Sequence, residues 1–183
     1  MRRTFGGPII VALGALAGLA SAGAAITFLG VEPAVKGGPW DYRDIAPTDK
    51  ASPYTLGHYL IGGRVPPASG QMRELQATRD NSGNTLDGDC DFILEAKQAP
   101  TLWWSIAATS GPARDPRGVI SSDTAVAEAD GRVVITVSRL PQTGNWLRPP
   151  SGSDYTLLYT IATPSAASST AALPLFTITK GGC

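Results

Sequence analysis

The sequence predicts an all-β domain, a jelly-roll-like β-sandwich or barrel with one short helix at its edge, preceded by an N-terminal transmembrane helix. Three observations predict it. The 183 residues include 21 glycines and 15 prolines, a loop-rich proportion that suits many short strands better than packed helices. Six runs with a two-residue hydrophobic period follow one another, separated by Gly, Pro, Asp and Asn turns. At the N-terminus, 27 residues from Phe5 to Val31 pass without an ionisable side chain. The length suits one domain with a real core.

The uncharged stretch is long enough to cross a hydrocarbon layer of about 30 Å. Arg2 and Arg3 precede it, and positive residues stay on the cytoplasmic side, so the rest of the chain belongs across the membrane. For a bacterial inner-membrane protein this places a single-pass anchor with its C-terminal domain in the periplasm. The alternative is secretion after signal cleavage, since Ala20-Ser21-Ala22 and Ala22-Gly23-Ala24 satisfy the small-x-small rule. Apolar residues continue past those sites through Ile26, Phe28, Leu29 and Val31, which favours retention. The chain thus divides into an anchor or signal peptide over 1–31, a linker over 32–48 and a β-domain over 49–183. Pro33, Gly37, Gly38, Pro39 and Pro47 set the linker apart, with Trp40 and Tyr42 placed to sit at the bilayer surface or pack on the domain.

Ser52-Pro53 reads as a helix start, hydroxyl at the N-cap and proline in the first turn, and Gly62-Gly63 closes the helix. After the turn Val65-Pro66-Pro67 come the strands. Arg73 to Thr78 and Cys90 to Lys97 flank the hairpin loop Asn81-Ser82-Gly83-Asn84. Leu102 to Thr109 alternates next, Val133 to Arg139 follows the turn pair Asp130-Gly131, Tyr155 to Ala162 alternates again, and Leu175 to Thr179 closes the set. Ala166 to Ala172 is low-complexity sequence, a loose loop or one helical turn.

In an oxidising compartment Cys90 and Cys183 are expected to form one disulfide rather than a redox or metal pair. Cys90 shares the inward side of the alternation with Phe92, Leu94 and Ala96.

The motifs that carry chemistry are sparse. Formal charge is zero with no run of one sign, so nothing attracts nucleic acid. Asp80, Asp87, Asp89 and Asp91 lack the glycine and closing glutamate of a calcium loop and read as a solvated acidic hairpin. The chain has no nucleophile elbow, phosphate loop or dinucleotide fingerprint, and one histidine with two cysteines gives a transition metal too few ligands. No cofactor and no metal are expected. His58, beside Tyr54, reads as a packing residue. The aromatic residues are more informative. Trp103 and Trp104 send one ring to each side of a strand, and Trp146 heads another, so that these rings either fill the core or form a surface for a ligand or partner.

Asp49-Lys50-Ala51-Ser52-Pro53-Tyr54-Thr55, Leu86-Asp87-Gly88-Asp89-Cys90-Asp91-Phe92, Trp103-Trp104-Ser105, Asp130-Gly131 and Asn145-Trp146-Leu147-Arg148-Pro149-Pro150 occur in an order that resembles the domain of unknown function 1214 family. The resemblance covers roughly residues 50–180. It implies a jelly-roll-like β-domain of unestablished activity, which in larger relatives follows a second domain; its absence here suggests a separately encoded envelope partner. Arg148 stands where the family more often shows proline.

The leading functional expectation is a non-enzymatic, membrane-anchored envelope domain that binds a partner protein or ligand through Trp103, Trp104, Trp146 and Arg148. The alternative is a carbohydrate-type hydrolase using Glu74, Glu95, Glu128 or His58. Gly144 to Pro150 itself reads as an architectural lock, with Asn145 bonding its own backbone, Trp146 and Leu147 plugging the sandwich end, and the prolines holding an extended entry to the next strand.

Overall fold

Alternation of apolar and polar residues lets a strand bury one face and leave the other in water, and two such sheets laid face to face satisfy every strand at once. The structure, a computed structural model, describes residues 6–29, 35–42, 52–61, 72–97, 103–110, 118–152, 154–162 and 175–183. Its elements are α1 (Gly6–Leu29), β1 (Val35–Gly37), β2 (Trp40–Tyr42), α2 (Pro53–Ile61), β3 (Met72–Ala77), β4 (Asp91–Ala96), β5 (Trp104–Thr109), β6 (Gly118–Ser121), β7 (Val133–Val137), β8 (Asn145–Leu147), β9 (Thr156–Ala162) and β10 (Thr177–Gly182). The expected all-β sandwich forms from a six-stranded sheet, β1-β2-β3-β9-β5-β6, and a four-stranded sheet, β10-β4-β7-β8. All pairings are antiparallel except β7 with β8.

The six expected strands are β3, β4, β5, β7, β9 and β10, and their alternation sets the core. Leu75 and Ala77, Trp104, Ile106 and Ala108, and Leu157, Tyr159 and Ile161 face inward from the large sheet. Phe92, Leu94 and Ala96, Val133, Ile135 and Val137, and Leu147 and Ile178 meet them from the small one, in one continuous apolar cluster. The Val, Leu, Ile and Phe side chains among them contribute about 1.5–3 kcal/mol each when removed from water. One end of the sandwich is filled by Trp40, Trp104, Tyr159 and Phe176, with ring centroids 5.3–6.4 Å apart.

That cluster corrects the expected linker. Within 32–48, β1 and β2 form a hairpin turned at Gly38 and paired to β3 through Asp41 and Tyr42. Trp40 is fully buried and donates its indole N–H to the Phe176 carbonyl at 2.5 Å. A single buried ring with a matched hydrogen bond outweighs the loop-forming tendency of the neighbouring glycines and proline. Among the described residues, the large sheet therefore includes Val35–Gly37 and Trp40–Tyr42. The helix expected after Ser52 is α2, and the Ser52 hydroxyl accepts the Tyr54 N–H at 3.3 Å. The low-complexity run over 166–172, the turn over 65–67 and the basic head lie outside the described residues.

Both edges of the small sheet are braced. At one edge Cys183 is joined to Cys90, the sulfurs 2.07 Å apart, after a bulge between Lys180 and Gly182 brings the C-terminus opposite the start of β4. The loop before β4 adds a second clamp, because Asn81 exchanges hydrogen bonds with Ile178 through both its amide N–H, at 2.9 Å, and its side-chain oxygen, at 2.6 Å. At the other edge β8 meets β6 of the facing sheet. A Cβ on Gly118 would stand 3.1 Å from the Arg148 nitrogen and 3.2 Å from its carbonyl oxygen, so only glycine allows this approach without displacement.

Candidate functional site

Trp104 is a core residue, 1% exposed, and leaves the proposed aromatic surface for that reason. Trp103 is the other half of the alternation: it is 42% exposed on the outer side of the large sheet, its indole N–H bound to Asp123 at 2.9 Å. Trp146 pairs with Thr136, whose neighbours Ile135 and Val137 fill the core, so its ring belongs to the outer side of the small sheet. Trp103 and Trp146 therefore face opposite ways, and no single groove contains the three rings. Arg148 is exposed just beyond β8.

The Asn145 to Pro150 segment is built differently from the expected turn. The Asn145 side chain accepts the Val126 N–H at 2.7 Å and donates to the carbonyls of Val126 and Val134, both at 2.8 Å. It fastens the 122–130 loop and β7 to β8, rather than bonding its own backbone. Leu147 enters the core and Pro149 and Pro150 are buried, as an architectural lock requires. Trp146 does not plug the sandwich end. It lies half-buried outside, its indole N–H held by the Ser138 carbonyl at 2.8 Å.

Strand register places a row across the outer face of the small sheet: Thr179 opposite Ile93, Ile93 opposite Thr136, Thr136 opposite Trp146. A second row runs Thr177, Glu95, Val134. Ile93 is 38% exposed, an apolar residue on the side where the alternation calls for a polar one. Ion pairs flank the strip. Arg132 contacts Glu95 at 3.4 Å, Glu128 at 2.5 Å and Asp130 at 3.5 Å, while Arg139 contacts Asp89 at 2.6 Å. The Glu128 hydrogen bond and charge, with smaller contributions from Glu95 and Asp130, hold the Arg132 guanidinium above its ordinary pKa.

Two of the candidate acids meet at one arginine and the third stands apart. Glu74 lies on the outer face of the large sheet, accepting from Gln76 at 3.1 Å, while Glu95 and Glu128 lie across the sandwich and share Arg132. His58 lies on α2, its side chain outside the described ones. Among the described residues no three His, Cys, Asp or Glu side chains are grouped to hold a metal.

The hairpin is less solvated than its acidic sequence suggests. Asp80 is 3% exposed and accepts the Ser82 N–H at 2.9 Å, the Asn84 N–H at 2.8 Å and the Asn84 amide at 2.9 Å. Burial pushes its pKa up, but the Asn84 side chain and the Asn84, Ser82 and Gly83 backbone bonds outweigh it and leave the carboxyl below its usual value. Beside this loop an open pocket of about 300 Å³ is lined by Thr78, Arg79, Thr85, Asp154, Tyr155 and Thr156. The Arg79 guanidinium is engaged with the Gly83 carbonyl at 2.9 Å. Tyr155 is core, stacked edge-on to Phe92, and burial followed by the charges of Asp87 and Asp91 raises its pKa.

Residues 72–166 match the model of a family described as protein of unknown function (DUF1214). The VPA0106 protein from Vibrio parahaemolyticus has a similar fold, with a TM-score of 0.58 and 14% identity over 99% of this chain and 47% of its own. An uncharacterized protein from Burkholderia cenocepacia overlaps 60% of this chain and 29% of its own at 19% identity, with a TM-score of 0.41. The chain spans less than half the length of either. No curated protein matches it.

Proposed function

This chain belongs to the DUF1214 family, and we propose that it is a non-enzymatic envelope domain, tethered to the inner membrane by α1, that binds a partner protein through the outer face of its four-stranded sheet. The observation that carries this reading is the setting of Trp146. Its ring is held from one edge by Ser138, is half-buried beside Thr136 and shares an outward row with Ile93. A rigid tryptophan next to exposed aliphatic surface, bounded by charged groups, is the composition of an interface centre with a polar rim. Arg148 adds an exposed cation just beyond the ring.

The tether reading draws on α1, whose Gly7–Leu29 portion has a mean hydropathy of 2.2 over its most apolar window. The Cys90–Cys183 bond favours an oxidising compartment such as the periplasm. The partner is then another envelope protein, encoded separately. A hydrolase draws little support from Glu95 and Glu128 clasped by Arg132 with Glu74 on the far side.

The test is photo-crosslinking in living cells with a reactive amino acid placed in the full chain at Ile93, on the proposed face, or at Ala107, on the outside of the large sheet. We expect a discrete protein adduct from Ile93 and none from Ala107. No adduct from Ile93, or the same adduct from both, contradicts the proposal.

A further inference from the structure

The short helix α2 carries no Asp, Glu, Lys or Arg, yet three of its large side chains are open: Tyr54 is 45% exposed, Leu60 71% and Ile61 75%. Its other side is closed, with Thr55 3% and Tyr59 9% exposed. At about 100° per residue, Leu60, Gly57, Ile61 and Tyr54 fall within an arc of about 120° centred near Gly57, whereas Thr55 and Tyr59 lie opposite. The open arc is not random surface, because Gly57 at its centre touches α1. A Cβ at Gly57 would stand 3.6 Å from Ile26 Cδ1 and Cγ1, ordinary contact distance, and α1 and α2 pack together. Ala25 and Ile26 are the positions of α1 that this packing leaves less than fully exposed.

Depth follows from this contact. Ile26 is three residues before the end of α1, about 4.5 Å along the helix axis. If α1 crosses the bilayer, Gly57 lies near the boundary between acyl chains and headgroups, where a helix with tyrosine and aliphatic side chains is at home. In water the same arc exposes Leu60 and Ile61, and among the described residues none covers them.

We propose that α2 is an interfacial membrane element: the face centred on Gly57 rests Tyr54, Leu60 and Ile61 in the surface of the same bilayer that α1 crosses. The proposal rests on the reading of α1 as a retained span. Crossing helix and surface helix together make a two-point attachment, which restricts how the sandwich turns about its tether.

Full-length protein in phosphatidylcholine vesicles, with the native disulfide intact, tests it. An environment-sensitive thiol label is placed by Leu60→Cys, by Leu16→Cys within α1 or by Leu140→Cys on the sandwich, and is quenched with lipids spin-labelled at shallow or deep acyl positions. The label at 60 is expected to be quenched several-fold more by the shallow lipid than the label at 140, while the label at 16 responds most to the deep lipid. A label at 60 that behaves like that at 140, with the label at 16 still quenched, overturns the surface helix and leaves the anchor standing. A label at 16 that no lipid quenches overturns both. Ile61→Cys repeats the measurement should Leu60→Cys disturb the helix.

Discussion

The two outer faces of the sandwich obey the same alternation and end up unlike each other. The large sheet turns out Ser105, Ala107, Val119, Leu158, Thr160 and Gln76, with Trp103 at its margin bound to Asp123 and no ion pair among these residues. The small sheet turns out Ile93, Val134, Thr136 and Trp146 between two groups of ion pairs. The edges differ as well. β10 is held by a disulfide and by Asn81, and β8 by Asn145 and its approach to Gly118. A surface with an aromatic anchor gains affinity when it is rigid before the partner arrives, since less conformational freedom is lost on binding. The bracing and the display coincide on one sheet, which is why the proposed binding is placed there.

Removing the strongest brace is the largest way to break that coincidence. The Cys90–Cys183 bond closes a separation of 93 residues, worth about 4–5 kcal/mol in the chain-entropy model. Cys183→Ala should lower unfolding free energy by that order in denaturant titration, and hydrogen exchange should rise first in β10. An unchanged midpoint would remove the disulfide from the account. At the opposite edge, Asn145→Ala deletes three hydrogen bonds and should cost about 2–3 kcal/mol, with faster exchange at Val126. A loss no larger than that of an exposed asparagine would show that β8 is not held this way.

How much of this was legible in the sequence depends on whether a feature is local. Strands β3, β4, β5, β7, β9 and β10 were readable because their alternation runs for several residues, and the disulfide was readable once the compartment was inferred. Even the display face left a trace, since Ile93 falls on the polar side of the Cys90, Phe92, Leu94, Ala96 pattern. Strands β1, β2, β6 and β8 escape a sequence reading because three or four residues are too short for an alternation to register. Asn145 escapes it for another reason: its bonds go to Val126 and Val134 on other segments, and nothing beside it announces them. Residue type groups Trp103 with Trp146, whereas sheet membership, a property of topology, separates them.

A subtler test sharpens the role of the hairpin clamp. Because the folded-state pKa of Asp80 is depressed, its contribution to stability is complete above the unfolded-state value of about 3.9 and is lost as pH falls through the folded-state value. Asp80→Asn should therefore destabilise the protein at neutral pH and flatten the acid limb of its stability profile between about pH 5 and the depressed folded-state value. Parallel acid limbs in the two proteins would mean that the Asp80 carboxylate is not what fixes the loop beside β10.

The smallest stability effects decide the largest question. Trp103→Ala and Trp146→Ala each remove a partly exposed ring with one hydrogen bond and should cost no more than about 1–2 kcal/mol, leaving both variants folded. Comparing their crosslinking from Ile93 in the full chain is the direct measurement. The account predicts that Trp146→Ala abolishes the Ile93 adduct and Trp103→Ala leaves it intact; an adduct that survives Trp146→Ala, or is lost equally in both variants, contradicts it.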